Sequence, residues 1–184
     1  MSSEGESSMG AIWERGYVHV YTGNGKGKTT AAIGLAVRAA GAGLRVFIGQ
    51  FVKGKPYSEV AALQRFSDCI TLRQFGRGCF IRSGPGSEDI RNAAVGLEEV
   101  RNVITGGQYE LVILDEVNVA VQLGLFPVER LLELIDAKPD RVELVLTGRE
   151  ANPAVVQRAD VVTDMGEVKH YYRQGILARE GIEC

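Results

Sequence analysis

Tyr21-Thr22-Gly23-Asn24-Gly25-Lys26-Gly27-Lys28-Thr29-Thr30 follows the alternating segment Tyr17-Val18-His19-Val20-Tyr21 and opens an apolar, alanine-rich stretch. A strand, a glycine-rich loop ending Gly-Lys-Thr, then a helix is the setting in which such a loop binds phosphate. Glycines let the backbone wind tightly, so that successive N–H groups point at one anion. The N-terminus of the following helix adds partial positive charge. Lys28 offers a full charge to phosphate oxygens, and the Thr29 hydroxyl can coordinate Mg²⁺. Gly27, Lys28 and Thr29 fit G-x-x-x-x-G-K-[ST], but Thr22 stands where that pattern has its first glycine. Gly23 and Gly25 are expected to supply the turns instead. Gly23, Asn24, Gly25, Lys26, Gly27, Lys28, Thr29 and Thr30 are therefore the expected ATP-binding residues. A glycine-rich turn with a chance Gly-Lys-Thr is the plainer alternative, and the flanking elements weigh against it.

Beyond the loop, Ala32, Leu35, Ala36 and Ala39 recur at helical spacing over about Lys28 to Ala40, where Gly41 and Gly43 stop the helix. Arg38 lies three turns along it; it either reaches a phosphate or is a solvated surface arginine. Arg45 to Phe51 is a continuous apolar run, as a buried parallel strand should be. Ligands of open α/β sheets bind beyond the carboxyl ends of strands. Gln50, Lys53 and Lys55 lie on that side, as ligand contacts or as ordinary loop residues. Leu111-Val112-Ile113-Leu114-Asp115-Glu116 is the second informative stretch. Apolar residues followed by acids at a strand's end form the Walker B pattern, which sets a carboxylate beside the phosphate loop to hold Mg²⁺. Thr29, Asp115 and Glu116 are the expected metal group, with either acid as the closer partner.

The remaining segments alternate. A helix is expected over Ser58–Phe66 and a strand over Ile70–Phe75. Gly76 to Gly86 is a glycine-rich loop with the apolar tip Cys79-Phe80-Ile81; it either binds a ligand or tucks Phe80 into the core. Ser87 is expected to cap a helix that buries Ile90, Ala93, Ala94, Leu97, Arg101 and Ile104 along one side. Pro127 is expected at the first position of a helix whose buried face carries Val128, Leu131, Leu132 and Ile135. Arg141–Leu146 reads as a strand, Asn152 as a helix cap, and Val161–Met165 as a last core strand. His170 reads as a structural residue, and Trp13 as an anchor ahead of the first strand. This alternation predicts a three-layer α/β domain with a mainly parallel sheet over residues 15–184. Residues 1–14, rich in Ser, Glu and Gly at the start, are expected to be a disordered or partly ordered tail.

The formal net charge of −2 gives no basic footprint for nucleic acid. Cys69, Cys79 and Cys184 are too few and too scattered for a disulfide framework or a zinc site. With no secretory signal and no run of about 20 apolar residues to span a membrane, a reducing cytoplasmic setting is expected.

Thr22 to Thr30, Gln50-Phe51-Val52-Lys53-Gly54, Leu114-Asp115-Glu116, Thr147-Gly148-Arg149 and Val168-Lys169-His170 stand in the order and spacing of the ATP:co(I)rrinoid adenosyltransferases. The chain resembles this P-loop class of bacterial cobalamin synthesis and salvage over nearly its whole length after residue 15. The resemblance implies a three-layer P-loop NTPase (RecA-like) domain. It implies an enzyme that transfers the 5′-deoxyadenosyl group of ATP to a Co(I) corrinoid and releases inorganic triphosphate. ATP, Mg²⁺ and the corrinoid are the implied small molecules, with a reductase supplying Co(I) and a homodimer as the implied assembly. ATP would lie reversed relative to ordinary P-loop enzymes, leaving its 5′ carbon facing the corrinoid. Lys28, Thr29 and Glu116 are the implied catalytic residues, with Asp115 close by. Because Co(I) is itself a strong nucleophile, no protein base is required. The family's Phe-x-Trp pair, which is thought to pack under the corrin, is replaced here by Cys79 and Ile81 with Phe80 between. Cys79 and Phe80 are the candidate corrinoid contacts, and the replacement bears on how the lower axial ligand is displaced. The rival readings are a small kinase or ATPase acting at the γ-phosphate, and a non-catalytic ATP-sensing module.

Overall fold

β1 (Val18–Thr22), the first strand in sequence, lies inside the sheet between the last two strands of the chain. The computed structural model describes residues 13–55, 57–77 and 84–183. Among these, the other strands are β2 (Val46–Gln50), β3 (Ile70–Gln74), β4 (Leu111–Asp115), β5 (Glu143–Thr147) and β6 (Val161–Asp164). All pair in parallel, in the spatial order β3-β2-β4-β5-β1-β6. Parallel neighbours need crossover connections, and each connection carries a helix. These are α1 (Lys28–Gly41), α2 (Ser58–Leu63), α3 (Ser87–Thr105), α4 (Val117–Gln122), α5 (Val128–Asp136) and α6 (Pro153–Arg158).

The helices cover both faces. On one, Ala32, Ala36 and Ala39 of α1 pack on Ile48, Ile113 and Val145. On the other, Leu97, Val100, Leu131 and Val155 pack on Phe47, Val112, Leu114 and Leu144. Every residue of β2 and β4 is buried, which is why both read as unbroken apolar runs. The expected three-layer parallel α/β architecture is therefore present. Trp13 packs against the α1 side and donates its indole N–H to Arg141 O at 3.1 Å, as an anchor should. Asn152 caps α6 by accepting the Ala154 N–H at 2.9 Å. His170 accepts the Tyr172 N–H at 3.1 Å, a structural contact.

Several local expectations are corrected. β6 is an edge strand with β1 as its paired neighbour, and Val161 and Val162 remain 42% and 44% exposed. The buried stripe of α3 runs through Ala93, Gly96, Leu97, Val100 and Ile104, leaving Ile90 and Ala94 exposed. Gly96 sets this rotation: a Cβ there would lie 2.4 Å from Cγ of Phe75, whose ring packs 5.2 Å from that of Phe51. Gly86, not Ser87, is the N-cap of α3, and its N–H donates to Asp89 Oδ2 at 2.9 Å. Pro127 is the N-cap of α5 rather than its first residue. The helix expected over 58–66 ends at Leu63 and tightens into a 3₁₀ turn over Gln64–Phe66. The short α4 was not foreseen, because Val117-Asn118-Val119-Ala120-Val121 is rich in β-branched residues. Residues 1–12, Cys79, Phe80 and Ile81 lie outside the described residues.

Glu143 ties β1 to β5. It accepts the Tyr17 N–H at 2.6 Å and pairs with His19 Nε2 at 2.5 Å. Burial pushes its carboxyl up, but the His19 and Tyr17 hydrogen bonds outweigh this and hold it below its ordinary value. A carboxylate depressed in the folded state lends stability that is complete above its unfolded pKa, about 4.3 for Glu, and is lost as pH falls through the folded value. The stability gap between the wild type and Glu143→Gln, read by urea unfolding, is therefore expected to be widest near neutrality. It should narrow as the pH drops below about 4; a gap constant from neutrality into acid contradicts the assignment.

Candidate nucleotide-binding site

The loop after β1 rests on the end of β6. Gly25 N–H donates to Met165 O at 2.6 Å. Gly23 has φ +92°, and a Cβ there would meet Asp164 Oδ1 at 2.1 Å, so both the turn and the close approach demand glycine. Thr22 completes β1, and its hydroxyl accepts the Ala151 N–H at 3.2 Å. The tight winding thus begins one residue later than in the usual pattern, as expected. Gly27, with φ +118°, is the N-cap of α1. The first N–H groups of a helix precede its hydrogen-bond ladder and sit at its positive end. No acidic side chain occupies the first turn of α1 to compete for them.

Lys28 is buried, and its ammonium donates to the carbonyls of Gly23 and Gly25 at 2.6 and 2.7 Å. Burial pushes its pKa down, Arg149 adds to the fall, and Glu116, Asp164 and Asp115 oppose it. Asp115, 1% exposed, ends β4. Its Oδ1 accepts from the hydroxyls of Thr29 (2.8 Å) and Thr147 (2.7 Å). Its Oδ2 accepts from Gln50 Nε2 (3.2 Å) and Lys53 Nζ (2.9 Å). Glu116 turns the chain into α4 through a left-handed conformation (φ 59°, ψ 20°), and its N–H donates to Thr147 Oγ1 at 3.0 Å. Burial and then Asp115 push the Glu116 carboxyl up, while Lys53, Lys28 and Arg149 pull it back. Glu116 thus lies within the field of both lysines.

The structure brings together the loop glycines, Lys28, Thr29, Asp115 and Glu116. It does not bring Arg38 to the loop: that residue is exposed in the last turn of α1, about 15 Å along the axis from Lys28. Lys26 turns away from the loop interior. Its ammonium donates to Ile182 O and lies 3.9 Å from Glu183, so it fastens the C-terminal segment. On the β6 side, Gly23, Asn24, Asp164, Gly166, Glu167 and Arg173 line a cleft of about 360 Å³. Gln50 and Lys53 belong to the site itself, not to ordinary loop surface. Thr147 stood in the sequence reading only within the family stretch Thr147-Gly148-Arg149, with no role of its own. The signal for it was positional: it ends β5 as Asp115 ends β4, on the ligand side of the sheet.

A hydroxyl and two carboxylates suit a hard divalent cation. The Lys53 ammonium, 2.9 Å from Asp115 and 3.2 Å from Thr29 Oγ1, places positive charge against this group. Among the described residues, no group of three or more His, Cys, Asp or Glu side chains forms a metal cage. A cation here would complete its shell with water and phosphate, as Mg²⁺ commonly does. No helix among the described residues is long and apolar enough to cross a membrane.

Comparison with known proteins gives a consistent picture. Residues 14–184 match the family described as ATP:corrinoid adenosyltransferase BtuR/CobO/CobP. The chain is 36% identical to a corrinoid adenosyltransferase of Pseudomonas aeruginosa, over 92% of this chain and 84% of that one. It is 30% identical to the corrinoid adenosyltransferase of Escherichia coli K12, over 92% and 86% of the two chains. In three dimensions it is similar to a KaiC-like protein of Pyrococcus horikoshii, with a TM-score of 0.54 at 20% identity over 84% of this chain and 75% of that one. That likeness concerns the fold, which is the RecA-like P-loop arrangement.

The Thr147 hydroxyl both donates to Asp115 and accepts from Glu116 N–H in a buried setting. Thr147→Val leaves that N–H unpaired and should cost about 1–3 kcal/mol of stability, measured by urea unfolding. An unchanged midpoint contradicts this account of the site.

Proposed function

The chain belongs to the ATP:corrinoid adenosyltransferase family, and we propose how its phosphate loop and the end of β4 perform that family's reaction. The activity is ATP-dependent adenosylation of a corrinoid. The observation carrying the site assignment is the meeting of Thr29 with Asp115 directly beside the buried Lys28.

In the proposed reaction the electron pair of Co(I) forms a bond to C5′ of ATP. The C5′–O bond breaks, its electrons leave on the triphosphate, and cobalt becomes Co(III). The nucleophile is the substrate metal, so this chain need only bind, orient and stabilise the leaving group. Lys28 exchanges the carbonyls of Gly23 and Gly25 for phosphate oxygens. The N–H groups of Lys26 to Thr30 and the α1 terminus surround the polyanion. Mg²⁺, held by Thr29 with Asp115 and Glu116, would supply positive charge to the departing triphosphate. Arg149 adds to the positive field at Lys28 and is suited to the same anion. Cys79 and Phe80 are proposed corrinoid contacts on the strength of the family resemblance alone. That resemblance extends to a reductase supplying Co(I), a homodimer and a cytoplasmic setting.

The test is anaerobic incubation with ATP, Mg²⁺ and chemically reduced cob(I)alamin or cob(I)yrinic acid a,c-diamide. A light-sensitive adenosylcorrinoid spectrum with inorganic triphosphate is expected; ADP as product would instead mean phosphoryl transfer. Lys28→Ala should lower kcat/KM by about 10²–10³-fold, as loss of one leaving-group stabiliser does, with thermal unfolding close to that of the wild type. Retained activity would remove the loop from the chemistry.

A further inference from the structure

Lys53 is neither in the phosphate loop nor in the acidic pair, yet its ammonium sits between them. It lies 2.9 Å from Asp115 Oδ2, 3.2 Å from Thr29 Oγ1 and 3.6 Å from Glu59 Oε1. The position is built into the backbone. Val52, a β-branched residue, is held at φ +63°, where such residues are rare. Phe51 N–H donates to Asp115 O at 2.9 Å, and Gly76 N–H donates to Lys53 O at 3.0 Å. These bonds fix the chain on either side of the strained residue and direct the lysine across the end of β4.

We propose that Lys53 is a displaceable internal counter-ion, which fills the cation seat in the nucleotide-free protein and yields it to a divalent metal that arrives with ATP. This rests on reading Thr29, Asp115 and Glu116 as the cation group. An ammonium and a divalent cation in contact with the same carboxylate oxygen and the same hydroxyl repel each other at close range. A metal entering alone must expel the lysine from its strongest partner and leave a positive charge nearby. With ATP present, the polyphosphate supplies negative charge to both cations. Lys53 also has somewhere to go. Glu59 is already within reach, and the Tyr57 ring centre is 5.6 Å from the ammonium, a cation–π distance. The consequence is ordered loading, with metal bound in the company of nucleotide rather than ahead of it.

A purely structural ion pair, there only to neutralise buried Asp115, predicts something different. Removing Lys53 would then lower stability and leave metal affinity unchanged. Asp115 keeps Thr29, Thr147 and Gln50 as donors in a Lys53 variant, which favours retention of the fold.

The experiment uses Mn²⁺ as probe, with free ion counted by electron paramagnetic resonance, on the full chain with and without ATP. Lys53→Met is expected to bind Mn²⁺ alone at least about tenfold more tightly than the wild type, the scale of removing one like charge at contact distance. With ATP present the difference should shrink. Mn²⁺ should likewise raise the Tm of the variant more than that of the wild type. Lys53→Gln, which keeps a donor but no charge, should behave as Lys53→Met does and serves if the methionine variant folds poorly. Equal Mn²⁺ affinity in wild type and variants, with ATP-dependent Mn²⁺ binding intact, overturns the role of Lys53 and leaves the cation seat standing. No Mn²⁺ binding by any of the proteins, with or without ATP, overturns the seat and the proposal together.

Discussion

A buried carboxylate at the end of β4 imposes the order of the whole ligand side. Asp115 is almost fully enclosed, and a charge removed from water is tolerated only when paired and hydrogen-bonded. Its partners come from four places: Thr29 at the start of α1, Gln50 at the end of β2, Lys53 in the loop beyond, and Thr147 at the end of β5. Apart from Gln50 and Lys53, those places are far apart in sequence, and they meet because β4 lies between β2 and β5. Gln50 is the register partner of Asp115 itself, so a slip of one residue would remove that donor and reverse the faces of the strand. The apolar packing of both layers can thus be seen as fixing the register on which one charge depends.

The phosphate loop has a second support at the sheet's edge. β6 pairs with β1 so that Asp164 stands beside Thr22, and the chain just beyond it receives the Gly25 N–H. This explains why β6 is present although it buries little apolar surface. An exposed edge strand adds modestly to the core, but here it provides the floor on which a glycine-rich loop keeps its shape. A loop held only by its own turns would spend binding energy on ordering when the anion arrives.

What the sequence disclosed follows from which signals are local. The glycine loop, the α1 stripe and the run ending at Asp115 are contiguous patterns, and each lies within a residue or two of its expected place. Thr22 in the slot of the first glycine was resolved the same way, since Gly23 provides the positive φ one residue on. Lys53 and Thr147 stood in stretches shared with the family, but their contacts with Asp115 were not legible from local spacing. Their roles arise only when strand order puts the ends of β2, β4 and β5 side by side, which is information held by pairing and not by spacing. β6 was misjudged because a short apolar run looks alike at the centre and at the edge of a sheet. The α3 stripe was displaced because Gly96 gives no apolar signal, yet it is the point of closest approach to Phe75. Arg38 shows the converse: a charge near the loop in sequence is carried away from it by the rise of a helix.

The two lysines of the site both have partners within the chain. Lys28 donates to the carbonyls of Gly23 and Gly25, and Lys53 to Asp115; on the proposed function these partners stand where phosphate oxygens and a divalent cation would bind. On the proposed reading, arrival of ATP and metal would exchange these partners rather than fill unsatisfied groups. Such an exchange yields less net affinity than binding to unsatisfied groups, because each new contact replaces an old one. On the same reading the site would keep its shape when the leaving group departs, since each lysine has a partner held within reach. For the proposed reaction, which would end with a highly charged triphosphate in the loop, ready internal substitutes would ease product release as well as lower the affinity for substrate.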